Sequence, residues 1–398
     1  MTLVATGVFP LSPIDHVFTG RGAYPIEFVF AYGGRMDAER LAESLRRTLA
    51  IFPAAGSRLV RTGEAYGLEP GPDGWTFAVG STTATFAECG ARHAFVDPVE
   101  TVEGRPLARF RLTHTRDASV LGVGVSHAIV DGFSFFYFLS AWSRVFHGSG
   151  VPPPALDRGL LSPAGAAPAE PLDPGTVREA SGLFLDERRP DIPRDRLRWT
   201  RRLFSKGELS DLLRRAQEAC PVRLSHNDVL AAWLFREHVP RWAPTGEETA
   251  FLSCPVDLRR RLPGLPGRYF GCAVALAAAE IERDRLEEAP LSDLALRVRD
   301  AVAGVDAARA GRSLRAVDSL RRQEGLAGLE RLHVVHPRAG LLVTNLSRLP
   351  VREIVFDAGP PVAFDILAPA ERCAVVLPAE DGLDVRVSPP VAADGRPS

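Results

Sequence analysis

At 398 residues the chain is longer than the roughly 250–300 residues that one hydrophobic core usually serves, so we expect two domains. Its 48 basic and 49 acidic residues give a formal net charge of −1, which offers no general attraction for nucleic acid or an anionic membrane surface. The five cysteines are odd in number and lack CxxC spacing, which argues against a disulfide framework or a zinc site and fits a reducing cytosol.

The hydrophobic segments are too short for a membrane protein. The N-terminus lacks the basic start and long apolar core of a signal peptide, and no stretch of about 18 uncharged apolar residues occurs. We therefore expect a soluble, cytoplasmic protein. Lys206 is the only lysine among the 48 basic residues, and the abundant Arg, Ala, Gly and Pro have GC-rich codons, so a high-GC bacterium is the expected source.

Mixed α/β structure is predicted for the N-terminal half. The segment 26–32 is rich in strand-forming residues, and it precedes a predicted helix at 37–50 whose leucines form one apolar stripe. Residues 120–125 alternate large and small side chains and predict a strand, and the apolar spacing at 133–146 predicts a helix.

A segment rich in proline and alanine separates this half from the next. Between 151 and 193 the sequence consists largely of Pro, Ala, Gly and charged residues, which is typical of linkers. We therefore predict an N-terminal domain at 1–155, a crossover linker at 156–195 and a C-terminal domain at 196–398.

The C-terminal half is also predicted to mix helices and strands. Ser205 is a candidate cap for an amphipathic helix, and Ser225-His-Asn-Asp228 supplies cap chemistry before a second, apolar helix. The predicted elements are strands at 196–204, 250–256, 340–345 and 373–377, helices at 205–219, 229–235 and 291–308, and a loop at 257–271.

The turn His127-Ala-Ile-Val-Asp131-Gly132 connects the strand at 120–125 to the helix at 133–146. A histidine at such a strand end can take up a proton near neutral pH, because its unperturbed pKa is about 6.5. His127 is therefore a candidate general base, although a buried structural histidine would fit the same sequence. Asp131 either orients that imidazole or pins the turn.

Several segments, taken in order, share the motifs of one enzyme family. They are Leu11-Ser-Pro-Ile-Asp15, Phe52-Pro-Ala-Ala-Gly-Ser-Arg-Leu59, His127 to Gly132 followed by Phe138-Leu139 and Trp142, Ser225-His-Asn-Asp-Val-Leu-Ala-Ala232, Val256-Asp-Leu-Arg-Arg-Arg-Leu262 and Tyr269-Phe-Gly271. Together they resemble the BAHD family of acyl-CoA-dependent acyltransferases along nearly the whole chain. The departures come late: Val355-Phe-Asp-Ala-Gly359 replaces the family's DFGWG, Cys272 replaces the usual asparagine of YFGN, and Leu346 replaces a tryptophan that often walls the acceptor pocket.

The resemblance implies an α/β fold of two chloramphenicol-acetyltransferase-like domains, each a mixed β-sheet with helices, with the active site in the channel between them. It implies transfer of an acyl group from acyl-CoA, a co-substrate rather than a permanently bound cofactor, to a hydroxyl or amine of a small acceptor in bacterial specialised metabolism. His127 is then the base that takes the acceptor's proton. Thr344 offers its hydroxyl to the oxyanion, or is an ordinary strand threonine satisfied locally.

The resemblance also assigns supporting roles. Asp131 is expected to pair with Arg259 and tie the turn to the second domain, and Gly132 to let the backbone fold sharply into the helix. Ser225 and Asn227 are candidate CoA-binding residues at a helix start, where an ordinary helix cap fits equally well.

Two competing sites lack necessary residues. His333-Val-Val-His336 has no carboxylate or cysteine nearby to complete a metal site, so surface histidines and no metal are expected. The absence of a GxSxG elbow and of a Walker loop argues against a serine hydrolase and an NTPase.

Two other functions stay open. One is a carrier-protein-dependent transferase of the condensation-domain type, with an acyl carrier protein as partner, although Ser126 stands where those domains usually carry another histidine. The other is a non-catalytic binding protein on the same scaffold. A monomer is expected in each case.

Overall fold

The computed structural model describes residues 7–163, 172–242 and 246–391. Its helices are α1 Pro13–His16, α2 Ala38–Ile51, α3 Gly132–Phe146, α4 Pro174–Ser181, α5 Lys206–Glu218, α6 His226–His238, α7 Arg283–Leu286, α8 Leu291–Ala303 and α9 Ala307–Leu329. Its strands are β1 Phe9–Pro10, β2 Pro25–Tyr32, β3 Ser57–Thr62, β4 Ala65–Pro70, β5 Trp75–Ser81, β6 Ala108–His114, β7 Ser119–Ser126, β8 Phe184–Leu185, β9 Thr200–Phe204, β10 Thr249–Asp257, β11 Val274–Glu282, β12 Leu332–His333, β13 Gly340–Asn345, β14 Ala363–Ile366, β15 Cys373–Ala379 and β16 Gly382–Ser388. The predicted α/β class is confirmed. No helix of the described ranges is long and apolar enough to cross a membrane.

A five-stranded mixed sheet organises the N-terminal half. Its strand order is β14-β2-β7-β6-β5, and only β5 and β6 run parallel. Helices α2 and α3 bury their apolar faces on one side of it, where Phe28 contacts Phe135 and Phe136 with ring centroids 5.4 and 5.1 Å away. This packing fixes β7 and α3, the two elements that flank His127.

The alternation of large and small residues in β7 has a packing cause. The whole strand is buried, and a Cβ atom at Gly122 would lie 1.8 Å from the carbonyl oxygen of Phe95. Glycine is therefore required there, because the 3₁₀ turn Arg92–Phe95 crosses directly over the strand.

A six-stranded mixed sheet organises the C-terminal half, with the order β11-β10-β13-β15-β16-β9. Strand β13 is parallel to both its neighbours, β10 and β15, and the other pairs are antiparallel. The next strand along the chain, β14, leaves this sheet and pairs with β2 instead. The two halves are therefore joined by a strand of the later half that completes the earlier sheet.

The segment predicted as linker, 156–195, contains regular structure in its described part. Asp173 caps α4 and Pro174 occupies its first turn, a position where proline does not disturb a helix. Strand β8 pairs with β12, so the segment also joins a sheet. The domain boundaries at 155 and 195 stay a prediction, and residues 164–171 lie outside the described ranges.

Several element boundaries differ from the sequence prediction, and the two largest differences are at the end of α8 and the start of β9. The helix predicted at 291–308 is wrong at its end: α8 stops at Ala303, and Asp306 caps a new helix by accepting from the backbone N–H of Arg309 at 2.7 Å. The strand predicted at 196–204 begins only at Thr200, after a 3₁₀ turn at Arg194–Arg196.

Candidate active site

His127 lies in the turn between β7 and α3. The backbone N–H of Ile129 donates to the carbonyl of Ser126 at 3.1 Å and closes the turn after the strand. Asp131 caps α3 by accepting from the backbone N–H of Ser134 at 2.8 Å. A buried strand and a capped helix thus fix both ends of the turn that carries the imidazole.

Aromatic rings enclose the imidazole. Phe18 stacks on it with ring centroids 4.0 Å apart, and Tyr24 meets it edge-on at 5.7 Å. Burial lowers the pKa of His127 below its ordinary value and outweighs the opposing effects of its own backbone hydrogen bond and of the Asp131 and Asp15 carboxylates. The imidazole is therefore neutral at neutral pH, which is the form that can accept a proton.

Cys272 is the polar neighbour of the ring, with Sγ 3.8 Å from Nδ1 of His127. Burial raises the pKa of this thiol well above its ordinary value, so it stays protonated. The backbone N–H of Cys272 donates to Asp15 at 3.2 Å, and Asp15 also accepts from Arg158 at 2.6 Å. Arg158 is 3% exposed although the sequence prediction placed it in a linker, so this anchor beneath the site was missed.

The structure brings Asp131 and Arg259 together. Nη1 and Nη2 of Arg259 donate to the two carboxylate oxygens of Asp131 at 2.7 and 3.1 Å, and the backbone N–H of Ala273 donates to the same carboxylate at 2.9 Å. The side chains of Arg259 and Asp131 are 2% and 3% exposed. Of the two roles left open by the sequence, Asp131 therefore pins the turn, because its oxygens are occupied by groups other than the imidazole.

The expected reason for Gly132 is wrong. Its φ angle lies outside the left-handed region, so the turn does not require glycine for a sharp bend. Instead, a Cβ atom there would lie 3.1 Å from Cδ2 of Leu346 and 3.5 Å from Cδ1 of Leu349. The glycine makes room for leucines that approach from the C-terminal half.

His127 and Thr344 line one small cavity of about 110 Å³, here called the histidine chamber, whose other lining residues include Phe18, Tyr24, Glu27, Asp131 and Leu346. Thr344 lies on β13 opposite Val375 of β15. Its hydroxyl makes no hydrogen bond to any described residue. The chamber is therefore walled by both halves of the chain, and Thr344 offers it an unused donor.

A larger cleft of about 1120 Å³, here called the cationic cleft, is lined by Lys206, Arg223, Ser225, Asn227, Arg261, Arg299, Asn345 and Arg348 among others. Ser225 caps α6 by accepting from the backbone N–H of Asp228 at 3.3 Å, and Asn227 accepts from the Asn345 amide at 2.9 Å. Asn345 follows Thr344 on β13, so neighbouring residues of one strand line the cleft and the chamber.

A third cavity of about 550 Å³, here called the outer cavity, is lined by Arg21, Tyr24, Glu27, Glu100, Arg189, Asp191, Arg194, His333, Glu371 and Arg372 among others. It shares Tyr24, Pro25 and Glu27 with the histidine chamber, so the two spaces adjoin. Glu27 belongs to no motif of the sequence, and its side chain is 6% exposed.

The expectation of surface histidines at 333 and 336 is wrong for His333. This residue is 9% exposed and its Nε2 bonds to the carbonyl oxygen of Glu187 at 2.7 Å. Nδ1 of His336 accepts from the backbone N–H of Ala339 at 3.0 Å. The described residues contain no group of three or more His, Cys, Asp or Glu side chains placed to hold a metal ion.

Comparison with known proteins identifies the class of enzyme. Residues 7–388 match the model of the Transferase family, so the chain belongs to that family, the BAHD acyltransferases. It is 29% identical over 376 residues to a protein named hydroxycinnamoyltransferase 2 from Oryza sativa subsp. japonica, covering 88% of this chain and 83% of the relative. A protein named hydroxycinnamoyl-CoA:5-hydroxyanthranilate N-hydroxycinnamoyltransferase HHT1 from Avena sativa is 30% identical over 279 residues, which are 67% of this chain and 61% of the relative. The chain is an acyltransferase.

Solved structures share its fold. TRI101 of F. sporotrichioides, crystallised with coenzyme A and T-2, superposes with a TM-score of 0.76 at 16% identity and covers 96% of this chain and 94% of its own. Vinorine synthase gives a TM-score of 0.72 at 18% identity, with 99% of this chain and 92% of vinorine synthase covered. The first condensation domain of the CDA synthetase gives 0.60 at 19% identity, with 97% and 91% covered.

Proposed function

We propose that this enzyme transfers an acyl group from acyl-CoA to a hydroxyl or amine of a small acceptor, with His127 as general base. The observation that carries the proposal is the neutral imidazole of His127 in one chamber with the unbonded hydroxyl of Thr344. A thioester carbonyl placed there would meet a base and an oxyanion donor together.

In the proposed reaction His127 takes the proton from the acceptor O–H or N–H while that atom bonds to the thioester carbonyl carbon. The carbonyl electron pair moves to oxygen, and Thr344 donates a hydrogen bond to the resulting oxyanion. The carbonyl then re-forms, the C–S bond breaks, and His127 returns its proton to the departing thiolate. We assign the proton of the neutral ring to Nδ1, which lies 3.8 Å from the Cys272 sulfur, and the lone pair that acts as base to Nε2.

The cationic cleft is the proposed site for the CoA moiety. Arg223 and Arg348 line it and make no ion pair with a described residue, whereas Arg299 is bonded to Asp228 at 3.0 Å. Guanidinium groups with unused donors suit phosphate groups such as those of CoA. Ser225 and Asn227 stay candidate CoA contacts, because the start of α6 lines the cleft.

The relatives suggest which substrates to test first. The name of the Avena sativa relative specifies a hydroxycinnamoyl-CoA donor and an amine acceptor, and TRI101 was crystallised with coenzyme A. We therefore propose an aromatic acyl-CoA as the donor. The likeness to a condensation domain keeps a carrier-protein thioester as the alternative donor.

One experiment separates the acyl-CoA-dependent transferase from the two alternatives, a carrier-protein-dependent transferase and a non-catalytic binding protein. Purified protein is mixed with p-coumaroyl-CoA or with a p-coumaroyl-loaded acyl carrier protein, and thiol release with an added acceptor is measured together with the melting temperature. We expect acyl-CoA to raise the melting temperature, because a ligand that binds only the folded state stabilises it, and to release thiol. Release from the carrier alone would identify a condensation-type enzyme, and stabilisation without release would identify a binding protein.

A further inference from the structure

A buried carboxylate stands in the wall between the outer cavity and the histidine chamber. Glu27 lies on β2 and lines both spaces. Its neighbours on the same face of the strand, Val29 and Ala31, belong to a small apolar cluster, whereas Phe28 faces the main core on the other side. An acidic residue on this face is costly to bury and therefore calls for a partner.

One of the two carboxylate oxygens has no partner. Oε2 of Glu27 forms an ion pair with Nη2 of Arg194 at 3.0 Å. Oε1 is buried and unbonded within the described chain, and Nε of Arg194 is unbonded as well. Burial raises the pKa of Glu27 to about 7, against the opposing effect of Arg194. The pair thus leaves one acceptor atom unsatisfied at the border of the reaction chamber.

The other buried charges of the outer cavity do not reach this oxygen. Arg189 donates to the backbone carbonyls of Thr19 and Arg21 at 2.7 and 3.2 Å. The guanidinium of Arg372 lies over the Trp242 ring at 5.2 Å from its centroid, and Trp242 is not part of the cavity lining. Oε1 of Glu27 is therefore an unmatched acceptor atom in the wall that the outer cavity shares with the histidine chamber.

We propose that Oε1 of Glu27 receives a hydrogen bond from the acceptor, through an O–H or N–H group other than the attacking one. This inference rests on the proposed function and names its acceptor class: small molecules with a second hydrogen-bond donor. A site built around an unsatisfied acceptor atom rejects an analogue that lacks the matching donor, because the buried oxygen then stays unpaired. At a pH above the raised pKa of Glu27 it rejects a carboxylate in that place more strongly, since two ionised acceptors would then face each other.

The test uses four acceptors that share one primary alcohol and one ring. Tyrosol carries a phenolic O–H, 4-aminophenethyl alcohol carries an N–H, 2-phenylethanol carries no second donor, and 4-(2-hydroxyethyl)benzoate carries a carboxylate. With p-coumaroyl-CoA as donor, we expect kcat/KM for at least one of the first two to exceed that for 2-phenylethanol by about tenfold or more. Glu27→Leu should reduce this ratio to about one. Glu27→Gln, which keeps an acceptor oxygen, should retain part of the preference.

Glu100→Gln is the matched control, because Glu100 lines the same outer cavity but has an exposed side chain, which pairs with Arg105 at 3.5 Å. Its acceptor preference should equal that of the wild type. No preference in the wild type, or an equal loss for all four acceptors in both Glu27 variants, would overturn the inference and leave Glu27 a structural residue. If the protein transfers no acyl group at all, the proposed function has failed. The Glu27 inference is then tested by calorimetric binding of the same compounds. Tyrosol or the amine must bind more tightly than 2-phenylethanol, and Glu27→Leu must remove the difference.

Discussion

The guanidinium of Arg259 donates to both carboxylate oxygens of Asp131 and so ties the His127 turn to the segment that follows β10. The same guanidinium donates to the hydroxyl of Ser134 at 2.8 Å and to the carbonyls of Tyr269 and Gly271 at 3.0 and 3.1 Å. One arginine therefore fixes the start of α3 against the C-terminal half, and the position of His127 depends on it.

Removing one member of this pair should destabilise the protein. Asp131→Ala leaves the buried Arg259 with Asp257, at 2.9 Å, as its one anionic partner among the described residues. We expect a loss of up to about 3–5 kcal/mol in the free energy of unfolding, because a buried charge loses its partner. Urea denaturation of the wild type and of Asp131→Ala and Arg259→Ala measures the loss.

The double variant is the control for this pairing. Because each single change already destroys the shared interaction, the two losses should be less than additive in the double variant. If both single variants melt like the wild type and their losses in the free energy of unfolding simply add in the double variant, the contact contributes nothing to stability.

Thr344 should contribute to the rate through its hydroxyl alone. We expect Thr344→Val, which keeps the size and shape of the side chain, to lower kcat by about 10²–10³-fold, the usual value of one oxyanion donor. Thr344→Ser keeps the hydroxyl and should restore most of the rate. Equal rates in the valine and serine variants would remove the hydroxyl from the mechanism.

The pH dependence of transfer should follow the neutral form of His127. Burial places the pKa of His127 below its ordinary value of 6.5, so the part of the kcat/KM profile that His127 controls should have reached its plateau by pH 7 and should fall only as the pH drops through that lowered pKa. Because the pKa of Glu27 is raised to about 7, the profile should also be recorded in Glu27→Gln. A fall in kcat/KM that is centred above pH 6.5 and persists in Glu27→Gln would contradict the assignment of His127 as the base.

The cationic cleft should determine affinity for the donor and leave the chemical step unchanged. We expect Arg223→Ala and Arg348→Ala each to raise KM for acyl-CoA several-fold at unchanged kcat, since their unpaired guanidinium groups are proposed to bind CoA phosphates uniformly in the ground and transition states. Arg285→Ala, whose side chain is exposed and paired with Glu282 at 2.7 Å, is the control. Unchanged KM in both cleft variants would place the CoA moiety elsewhere.

The sequence predicts local features of the site well. The strand, the turn and the helix around His127 follow one another in the chain, so alternation in β7 and helical spacing in α3 suffice to place it. Asp131 and Arg259 are 128 residues apart, and only the family resemblance suggested their pairing.

Other features depend on contacts that no local pattern encodes. Arg158 is 143 residues from Asp15 and lies in a segment whose composition is typical of linkers. The free oxygen of Glu27 depends on the distant Arg194 and on the shape of two cavities. Bacterial origin, a monomeric state and a cytoplasmic location stay predictions.

The measurement that tests the central claim most directly is transfer by His127→Ala under single-turnover conditions, with p-coumaroyl-CoA and the best acceptor. We expect the variant to fold, to bind acyl-CoA as tightly as the wild type, and to transfer about 10²–10⁴-fold more slowly, the usual contribution of a positioned general base. A folded His127→Ala protein that transfers the acyl group at nearly the wild-type rate would contradict the assignment of His127 as the base.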